Sequence, residues 1–488
     1  MQQIGPIWRR SRFAILVLPV AFSLCACSLV PAYQRPPIDA ATAWTTPSKS
    51  DSRGAEVRVG WWRSFSSHEL DRLMDQSLSG SFTLQAAAAR VVQAEGTAEV
   101  VGAPLWPSIN LVGTQDQSRG AQNSETHQIV GLATYELDFW GKNRAAAASG
   151  AALADASAFD ADTVAMTLSA SVADAYFQVL SLRERIRLAQ QIAGDARHVL
   201  GLIQVRRSAG TATELQVEQQ RTAVATFDAA IPALQQQADI AIHALAVLTG
   251  MAPEGFAVAG EGLGSLTNPN VAAGLPSALL ARRPDIRAAE ARLISANFDI
   301  GVARAAFFPT ISLTGAAGVG ARTLSHAFPP VAATDLGAGL LQPLFEGGQL
   351  EGQLRVSRAR QVELVATYRQ TVIAAFQDVE DALSTLAQVR NQEAIEMTAE
   401  AAARKAADLA ELQYRLGSAD YLTVLSTEQA LYQTRDALLQ LRLQRYQAVV
   451  GLFRALGGGF NARGGPISTE AASFAAPNPL ARMIGGGS

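Results

Sequence analysis

The fold is decided by residues 353–416, which read QLRVSRARQVELVATYRQTVIAAFQDVEDALSTLAQVRNQEAIEMTAEAAARKAADLAELQYRL. These 64 residues contain neither Gly nor Pro. A helix over all of them would be about 95 Å long at 1.5 Å per residue, several times the length of a usual globular helix. The stretch therefore predicts one very long helix from Gln353 to Leu416.

An apolar stripe runs along this helix at heptad spacing. Its members are Val365, Val372, Phe376, Val379, Leu383 and Leu386. The other faces carry Arg, Glu, Gln and Asp. A stripe of this kind has to pack on another helix.

The composition favours long helices over a large globular core. Hydrophobic residues make up 49% of the chain but aromatic residues only 7%, so Ala, Leu and Val supply the apolar surface. The net charge of −3 gives no reason to expect a nucleic-acid partner. The five His lack metal-ligand spacing, and Gly141-Lys142 is not part of a phosphate-binding loop. We expect no enzyme activity, no metal and no cofactor.

The N-terminal residues resemble a lipoprotein signal. A basic start is followed by an apolar run over 13–24 that is too short for a stable membrane anchor. Leu24-Cys25-Ala26-Cys27 then resembles a lipobox, which predicts a signal peptide over 1–26 and acylation of Cys27, with palmitate among the acyl chains. An ordinary signal peptide is the alternative. Residues 27–60 are polar and contain prolines, which predicts an extended tether.

Two stretches have the period of β-strands. After the break at Pro104 and Pro107, residues 108–114 alternate between polar and apolar, and a second alternating run ends at Phe139. We predict a β-hairpin over 108–139. Its strands would have one lipid-facing and one water-facing side, although the edge of a soluble sandwich has the same pattern.

The chain repeats itself, and the repeat organises the remaining residues. Trp106-Pro107-Ser108-Ile109-Asn110-Leu111 matches Phe308-Pro309-Thr310-Ile311-Ser312-Leu313, 202 residues later. Gly210 and Leu215 match Gly417 and Leu422, 207 residues later. The predicted domains are a first repeat over 61–260, a linker over 261–275, a second repeat over 276–460 with a hairpin over 310–345, and a flexible tail over 461–488.

These elements predict a mainly α chain with a small β part. Four strands are too few to close a membrane barrel, and an open sheet in lipid leaves backbone groups unpaired. Several chains would therefore have to share one transmembrane β-barrel, which the long helices would continue as an α-barrel.

The chain resembles the TolC-like outer-membrane efflux proteins, specifically their lipoprotein branch (OprM/NodT-type). The resemblance covers roughly residues 28–460. The segments that carry it are Trp61-Trp62-Arg63-Ser64-Phe65, Arg282-Arg283-Pro284-Asp285-Ile286, Ala289-Glu290, Phe308-Pro309-Thr310-Ile311-Ser312-Leu313, Phe345-Glu346-Gly347-Gly348 and Arg454-Ala455-Leu456-Gly457-Gly458-Gly459.

The resemblance implies a homotrimer in the cell outer membrane that extends into the periplasm. It implies a periplasmic adaptor and an inner-membrane pump of the resistance-nodulation-division (RND) type as partners. The channel would conduct drugs or other small molecules passively. A type I secretion channel is an alternative within the same class. A lipid-anchored periplasmic coiled-coil protein is the alternative from another class.

The resemblance also places a gate at the two interhelical turns, around Gly210 and Gly417. Leu422 resembles the apolar residue that narrows the family's aperture, although packing in the core is an equal alternative because Leu215 occupies the same place in the first repeat. Tyr414 resembles a polar latch.

The chain departs from the family pattern at two gate positions. Ser426 and Gln429 stand where relatives often carry Asp and Arg, so that ionic latch is missing. Asp420 or Glu428 remains as a charged candidate, although for Asp420 we favour a helix N-cap.

Two acidic residues near the end of the first hairpin are candidates for the barrel lumen. Glu136 and Asp138 would face water, opposite Tyr135, Leu137 and Phe139. Solvated acids at the periplasmic rim are the alternative.

Overall fold

The computed structural model describes residues 29–38, 43–45, 57, 59–118, 124–321 and 331–459. The predicted signal peptide, Cys27 and the predicted tail over 461–488 lie outside the described residues, as does part of the tether.

The described chain is mainly helical with four strands. The helices are α1 (His68–Gly80), α2 (Phe82–Gly102), α3 (Lys142–Ser208), α4 (Glu214–Leu248), α5 (Leu279–Arg282), α6 (Pro284–Ala305), α7 (Gln349–Arg415) and α8 (Tyr421–Ala455). The strands are β1 (Ser108–Ser118), β2 (Ser124–Leu137), β3 (Thr310–Ala321) and β4 (Val331–Leu341). Within this part of the chain, no helix has the length and hydropathy needed to cross a membrane.

The two halves of the chain build helix pairs of equal length. Helices α3 and α7 each have 67 residues, and α4 and α8 each have 35. The predicted helix over 353–416 is confirmed as α7. The helix begins four residues earlier, at Gln349, because a single glycine, Gly352, costs only about 1 kcal/mol within a helix.

Four of the six residues of the predicted stripe on α7 are buried, and two are not. Val365 and Phe376 are partly exposed, whereas Leu364 and Tyr368 are buried. The predicted members that are buried are Val372, Val379, Leu383 and Leu386. A straight helix has 3.6 residues per turn, so its buried face drifts away from a strict seven-residue repeat.

The chain divides into two compact units, and each draws on both halves of the sequence. Among the described residues, the sheet unit comprises 29–37, 90–118, 124–157, 288–321 and 331–369, and the helical unit comprises 38, 43–45, 57, 59–89, 158–287 and 370–459. Both α3 and α7 contribute residues to each unit.

The sheet unit contains one antiparallel sheet in the order β1-β2-β3-β4. The strands end before the predicted hairpin limits of 139 and 345. Strand β4 ends at Leu341, shortly before Pro343, which has no N–H group for the ladder. Strand β2 ends at Leu137, and the next residue, Asp138, bonds to the first turn of α3.

The helical unit has an aromatic core that includes the Trp61–Phe65 segment. The Trp61 ring stacks on Phe453 at 4.9 Å, and Phe65 lies 4.9 Å from Phe177. The Tyr446 hydroxyl donates to the carbonyls of Leu263 and Leu266 at 3.2 and 3.0 Å. The predicted linker is therefore packed on this core, where Leu263 is buried.

Candidate functional site

The two interhelical turns of the helical unit have the same backbone geometry. Gly210 and Gly417 adopt left-handed φ values of 75° and 78°, which Gly tolerates without strain. In the first turn the Thr211 N–H donates to the Arg206 carbonyl at 2.8 Å. In the second turn the Ser418 N–H donates to the Gln413 carbonyl at 2.9 Å. Both bonds are the 6→1 bond of a helix C-terminal Schellman motif.

Each helix that follows a turn begins at a side-chain cap. Thr213 and Gln216 form a capping box at the start of α4. At the start of α8 the Asp420 carboxylate accepts the Thr423 N–H at 2.8 Å and the Thr423 hydroxyl at 2.6 Å. These bonds, the hydroxyl first, lower the pKa of Asp420. Asp420 is therefore the N-cap of α8, as we expected.

An aromatic and apolar cluster joins the two turns. Ile203, Val217 and Tyr421 are buried together. The Tyr414 ring meets Tyr421 edge to face at 6.0 Å, and the Arg206 guanidinium lies 4.5 Å from the centre of the Tyr414 ring. The side chain of Tyr414 thus contacts both turns within one chain through ring and cation–π contacts.

The other gate candidates lie on the surface of the chain. Leu422 is 58% exposed and Leu215 is 66% exposed, so neither belongs to the core of the helical unit. The Ser426 hydroxyl donates to the Thr423 carbonyl at 3.0 Å, and Gln429 is exposed. No charged side chain stands at 426 or 429.

Glu428 is a half-buried acid beside these turns whose environment the sequence did not reveal. Burial raises its pKa to about 7, and the negative charges of Glu411 on α7 and Asp195 on α3 raise it further in the same direction. The signal is not local, because Asp195 lies on α3, more than 200 residues before Glu428, and Glu411 lies on the preceding helix α7.

One face of the sheet is apolar and exposed. The register places Ile109 opposite Ala133, Tyr135 opposite Leu313, and Leu313 opposite Ala338, so their side chains share a face. The large apolar side chains on this face are Ile109, Leu111, Ile129, Tyr135, Leu137, Ile311, Leu313, Val319, Leu336 and Leu340. Ile109 is 80% exposed and Leu336 is 94% exposed. Exposed apolar surface of this kind marks an interface with lipid or protein.

The opposite face carries most of the polar strand residues. They are Ser108, Asn110, Thr114, Asp116, Gln128, Thr134, Glu136, Thr310, Ser312, Thr314 and Asp335, and the apolar Val112, Val130, Leu132 and Leu341 lie among them. The Glu136 carboxylate pairs with the Lys142 ammonium at 2.6 Å.

Asp138 is not a strand residue, so the predicted strand position for it is wrong. Its carboxylate accepts the N–H groups of Asn143 and Arg144 at 3.0 and 2.9 Å, in the first turn of α3. The free N–H groups of a helix start attract a carboxylate, which explains why Asp138 turns away from the strand pattern.

A family model described as "Outer membrane efflux protein" matches residues 73–251 and 275–458. The chain belongs to this family. It is an outer-membrane efflux channel, and members of this family are channels rather than enzymes. Efflux channels of this family work with a periplasmic adaptor and an inner-membrane pump.

Relatives and solved structures agree with this assignment. The channel is 39% identical over 435 residues to the pyoverdine export outer membrane protein OpmQ of Pseudomonas putida, which covers 86% of this chain and 92% of OpmQ. It is 31% identical to the outer membrane protein OprJ of Pseudomonas aeruginosa over 87% of this chain and 91% of OprJ. The structure of the outer-membrane channel OprN superposes with a TM-score of 0.83 at 30% identity, over 89% of this chain and 99% of that chain.

Proposed function

We propose that the protein is the outer-membrane conduit of a tripartite efflux system, with three copies forming one channel. A periplasmic adaptor and an inner-membrane RND pump would deliver the substrate, and the channel would conduct it passively. The two-faced sheet carries this proposal. Its apolar face suits lipid, and its polar face suits a water-filled lumen.

The edges of the sheet support the shared assembly. Strands β1 and β4 are the two outer strands of the four, and each has a free edge among the described residues. In lipid, unpaired N–H and C=O groups are too costly to remain open. Pairing β4 of one copy with β1 of the next would remove every edge once three copies close into one sheet.

We propose that the substrate is a small molecule. A relative with 39% identity over most of the chain is named for the export of pyoverdine, which makes compounds of this class the first substrates to test. Among the described residues, neither the sheet nor the helix turns contain a feature that favours a protein substrate, so nothing there specifically supports the type I secretion alternative.

We propose that the exposed leucines after the two turns narrow the periplasmic end. Leu215 and Leu422 follow the caps Thr213 and Asp420 by two residues each, and both are free to contact other copies of the chain. Tyr414 and Asp420 would support this constriction from within the chain, while Ser426 and Gln429 leave it without an ionic latch. Glu136 would line the lumen near the start of α3.

Single-channel recording in planar lipid bilayers tests the function directly. The purified full-length chain should form a conducting pore of uniform conductance, and the pore should stay mostly closed because its tip is narrow. Purified trimers that never conduct would refute the proposed function.

Two substitutions at the tip should make the channel leakier. Leu422→Ser removes an apolar side chain from the constriction, and Ser426→Asp adds like charges from three copies that repel one another. We expect at least a severalfold higher open probability or conductance for both. Val247→Ser changes an equally exposed residue at the far end of α4 and should leave the conductance unchanged. Wild-type conductance for both tip variants would show that neither position 422 nor position 426 controls the gate.

A further inference from the structure

The N-terminal half of α8 packs against α3 and α4 of the same chain, and we call this contact the seam. Four residues of α8 take part, and their spacing of four, seven and four positions places them on one face of the helix. They are Tyr421, Leu425, Tyr432 and Asp436. From the first to the last of them, the seam covers about 22 Å of α8 at 1.5 Å per residue.

Aromatic and apolar contacts form the part of the seam next to the turns. Tyr421 is 1% exposed and lies in one cluster with Ile203 of α3 and Val217 of α4. The Tyr432 ring meets the Phe227 ring of α4 edge to face at 5.7 Å. Such ring pairs are favourable beyond the area that they bury. Separation of α8 from α3 and α4 would therefore expose apolar side chains to water and break the ring contact.

An ion pair closes the other end of the seam. The Arg185 guanidinium of α3 donates to both carboxylate oxygens of Asp436 at 2.7 and 3.1 Å. The two side chains are only 20% and 17% exposed. Because the pair is bidentate and largely buried, pulling it apart would leave two charges without partners in a partly dry environment.

Helix α7 is also bound to α8. The Glu393 carboxylate of α7 accepts a hydrogen bond from Arg445 at 2.8 Å, and the Glu400 carboxylate accepts one from Arg435 at 3.1 Å. At the tip, the Tyr414 ring of α7 lies against the aromatic part of the seam. Helices α3, α4, α7 and α8 of one chain therefore form a single packed body beside the turns.

Glu428 acts against the seam. It lies on α8, and the negative charge of Asp195 on α3 acts on it. Burial raises the pKa of Glu428 to about 7, so its carboxyl is partly protonated at neutral pH and this repulsion is reduced. The ring contacts and the ion pair of the seam are therefore opposed by only part of a negative charge.

The repeat identifies the matching contact between copies. Because α3 is equivalent to α7 and α4 to α8 at an offset of 207 residues, the counterpart of the seam joins α4 of one copy to α7 and α8 of the next. The α4 residues equivalent to the four α8 residues of the seam are all exposed in the single chain. They are Glu214, Glu218, Ala225 and Ala229. Such exposure is expected of a surface that another copy covers.

This counterpart lacks the strong contacts of the seam. Where the seam has its ion pair, the counterpart has Gln392 and Ala229. Where the seam has its ring pair, the counterpart has Thr434 and Ala225, and Glu214 takes the position of the buried tyrosine. Neither a ring contact nor an ion pair can form between these residues. The contact between copies is therefore weaker than the equivalent contact within one copy.

We infer that the tip helices of each copy move as one body and that the channel opens where neighbouring copies meet. The parting surface is the exposed face of α4 on one copy, against α7 and α8 of the next. The seam within each copy stays closed. This inference rests on the proposed function, because it requires a channel shared by several copies with a gate at the turns.

Cysteine labelling tests whether the seam stays closed. Ala196 lies in the seam on α3 and is 2% exposed. The reaction of Ala196→Cys with a charged maleimide should be equally slow in the wild-type background and in the leakier Ser426→Asp background. Gly194→Cys is the matched control on the same helix, because nothing lies within 4 Å of its Cβ position, and it should react rapidly in both. A severalfold faster reaction of Ala196→Cys in the leakier background would overturn the inference.

The same labelling on α4 tests the parting surface. Ala225→Cys and Ala229→Cys should each react severalfold faster in the Ser426→Asp background than in the wild type, because the neighbouring copy no longer covers them. If the pore leaks while both cysteines keep their wild-type rates, the copies do not part along α4 and the inference fails.

Bridges at equivalent positions test the opening by conductance in lipid bilayers. Arg185→Cys with Asp436→Cys, joined by a short bifunctional thiol reagent, fixes the seam and should leave the conductance of the Ser426→Asp channel unchanged. Gln392→Cys with Ala229→Cys, joined by the same reagent, links neighbouring copies and should lower that conductance to the wild-type level.

Either bridge can overturn the inference. Loss of the leak on bridging the seam would show that opening occurs within one copy, and a leak that persists after the copies are linked would show that they need not part. The extent of bridging is read from denaturing gels, where only the second bridge joins separate chains. Chains that conduct in no form refute the proposed function instead, so the two failures are distinguishable.

Discussion

At the residue scale, Glu428 is a half-buried acid near the tips whose pKa its surroundings raise. It lies on α8, where the negative charges of Glu411 on α7 and Asp195 on α3 act on it. Its own charge acts on Tyr421, whose buried hydroxyl has no hydrogen-bond partner among the described residues. Burial raises the pKa of Glu428 from the usual 4.5 to about 7. The acid is therefore partly protonated at neutral pH.

Glu428 should make the helical unit less stable as the pH rises. Between pH 4.5 and 7 the folded chain keeps a proton that the unfolded chain has released, so the free energy of unfolding falls with pH in this window and levels off above it. Glu428→Gln removes the ionisable carboxyl and therefore this loss of stability. It should raise the free energy of unfolding by about 1–2 kcal/mol at pH 8 and leave it nearly unchanged at pH 4.5.

Thermal unfolding in detergent at pH 4.5 and pH 8 measures this difference. Glu95→Gln is the control, since Glu95 is exposed on α2 and should have no effect at either pH. If Glu428→Gln shifts the unfolding temperature equally at both pH values, the pKa of Glu428 is not raised.

At the element scale, the sheet depends on a close approach between β2 and β3. A Cβ atom at Gly318 would lie 2.5 Å from the Ile129 carbonyl oxygen and 2.8 Å from the Val130 Cα. Both are backbone atoms of the paired strand, so neither can move without breaking the ladder. At Gly113 in β1, by contrast, nothing lies within 4 Å of the same position.

Gly318→Ala should destabilise the sheet by about 1–3 kcal/mol, the usual cost of overpacking. Gly113→Ala makes the same substitution in β1, on the other side of β2, and should have little effect. The midpoint of thermal unfolding in detergent, together with the yield of folded protein in membranes, compares the two. Identical midpoints and yields would show that β2 and β3 can separate enough to accept the methyl group.

At the scale of the whole molecule, a single chain exposes surfaces and strand edges that an assembly in lipid would cover. The apolar sheet face is exposed, the edges of β1 and β4 are free in the part of the chain that the structure describes, and the leucines beside both turns face outward. Each feature is unfavourable in water and becomes favourable against lipid or another copy.

Native mass spectrometry of the full-length chain in detergent should therefore find three chains per particle. Pairs of cysteines test the contact between copies. Each variant carries one cysteine in β1, at Ile109 or Leu111, and one in β4, at Leu336, Ala338 or Leu340. At least one combination should give a ladder of cross-linked species that ends at three chains, while the single variants give none. A monomer by mass, or a ladder that stops at two chains, contradicts the closed assembly.

Local patterns in the sequence by themselves determined the long helices, the strands and the turns. The Gly-free stretch, the Pro-led strand entries and the glycines of the turns act over a few residues, so their consequences are visible in a single sequence. The repeat offset of 207 residues also foretold that α3 and α7, and α4 and α8, would be equivalent. The cap at Asp420 was expected for the same local reason.

Only the tertiary structure decided the roles of residues whose partners are distant in the chain. The charge of Asp195 on α3 acts on Glu428 from more than 200 positions away, and Glu290 binds Arg35 from 255 positions away. Leu422 proved to be exposed, although its pattern suited a core position equally well. Asp138 kept the alternation of a strand but bonds to the start of α3. The burial, the ion pairing and the pKa of a side chain depend on the neighbours that packing brings to it. The periodicity of a single sequence does not identify those neighbours.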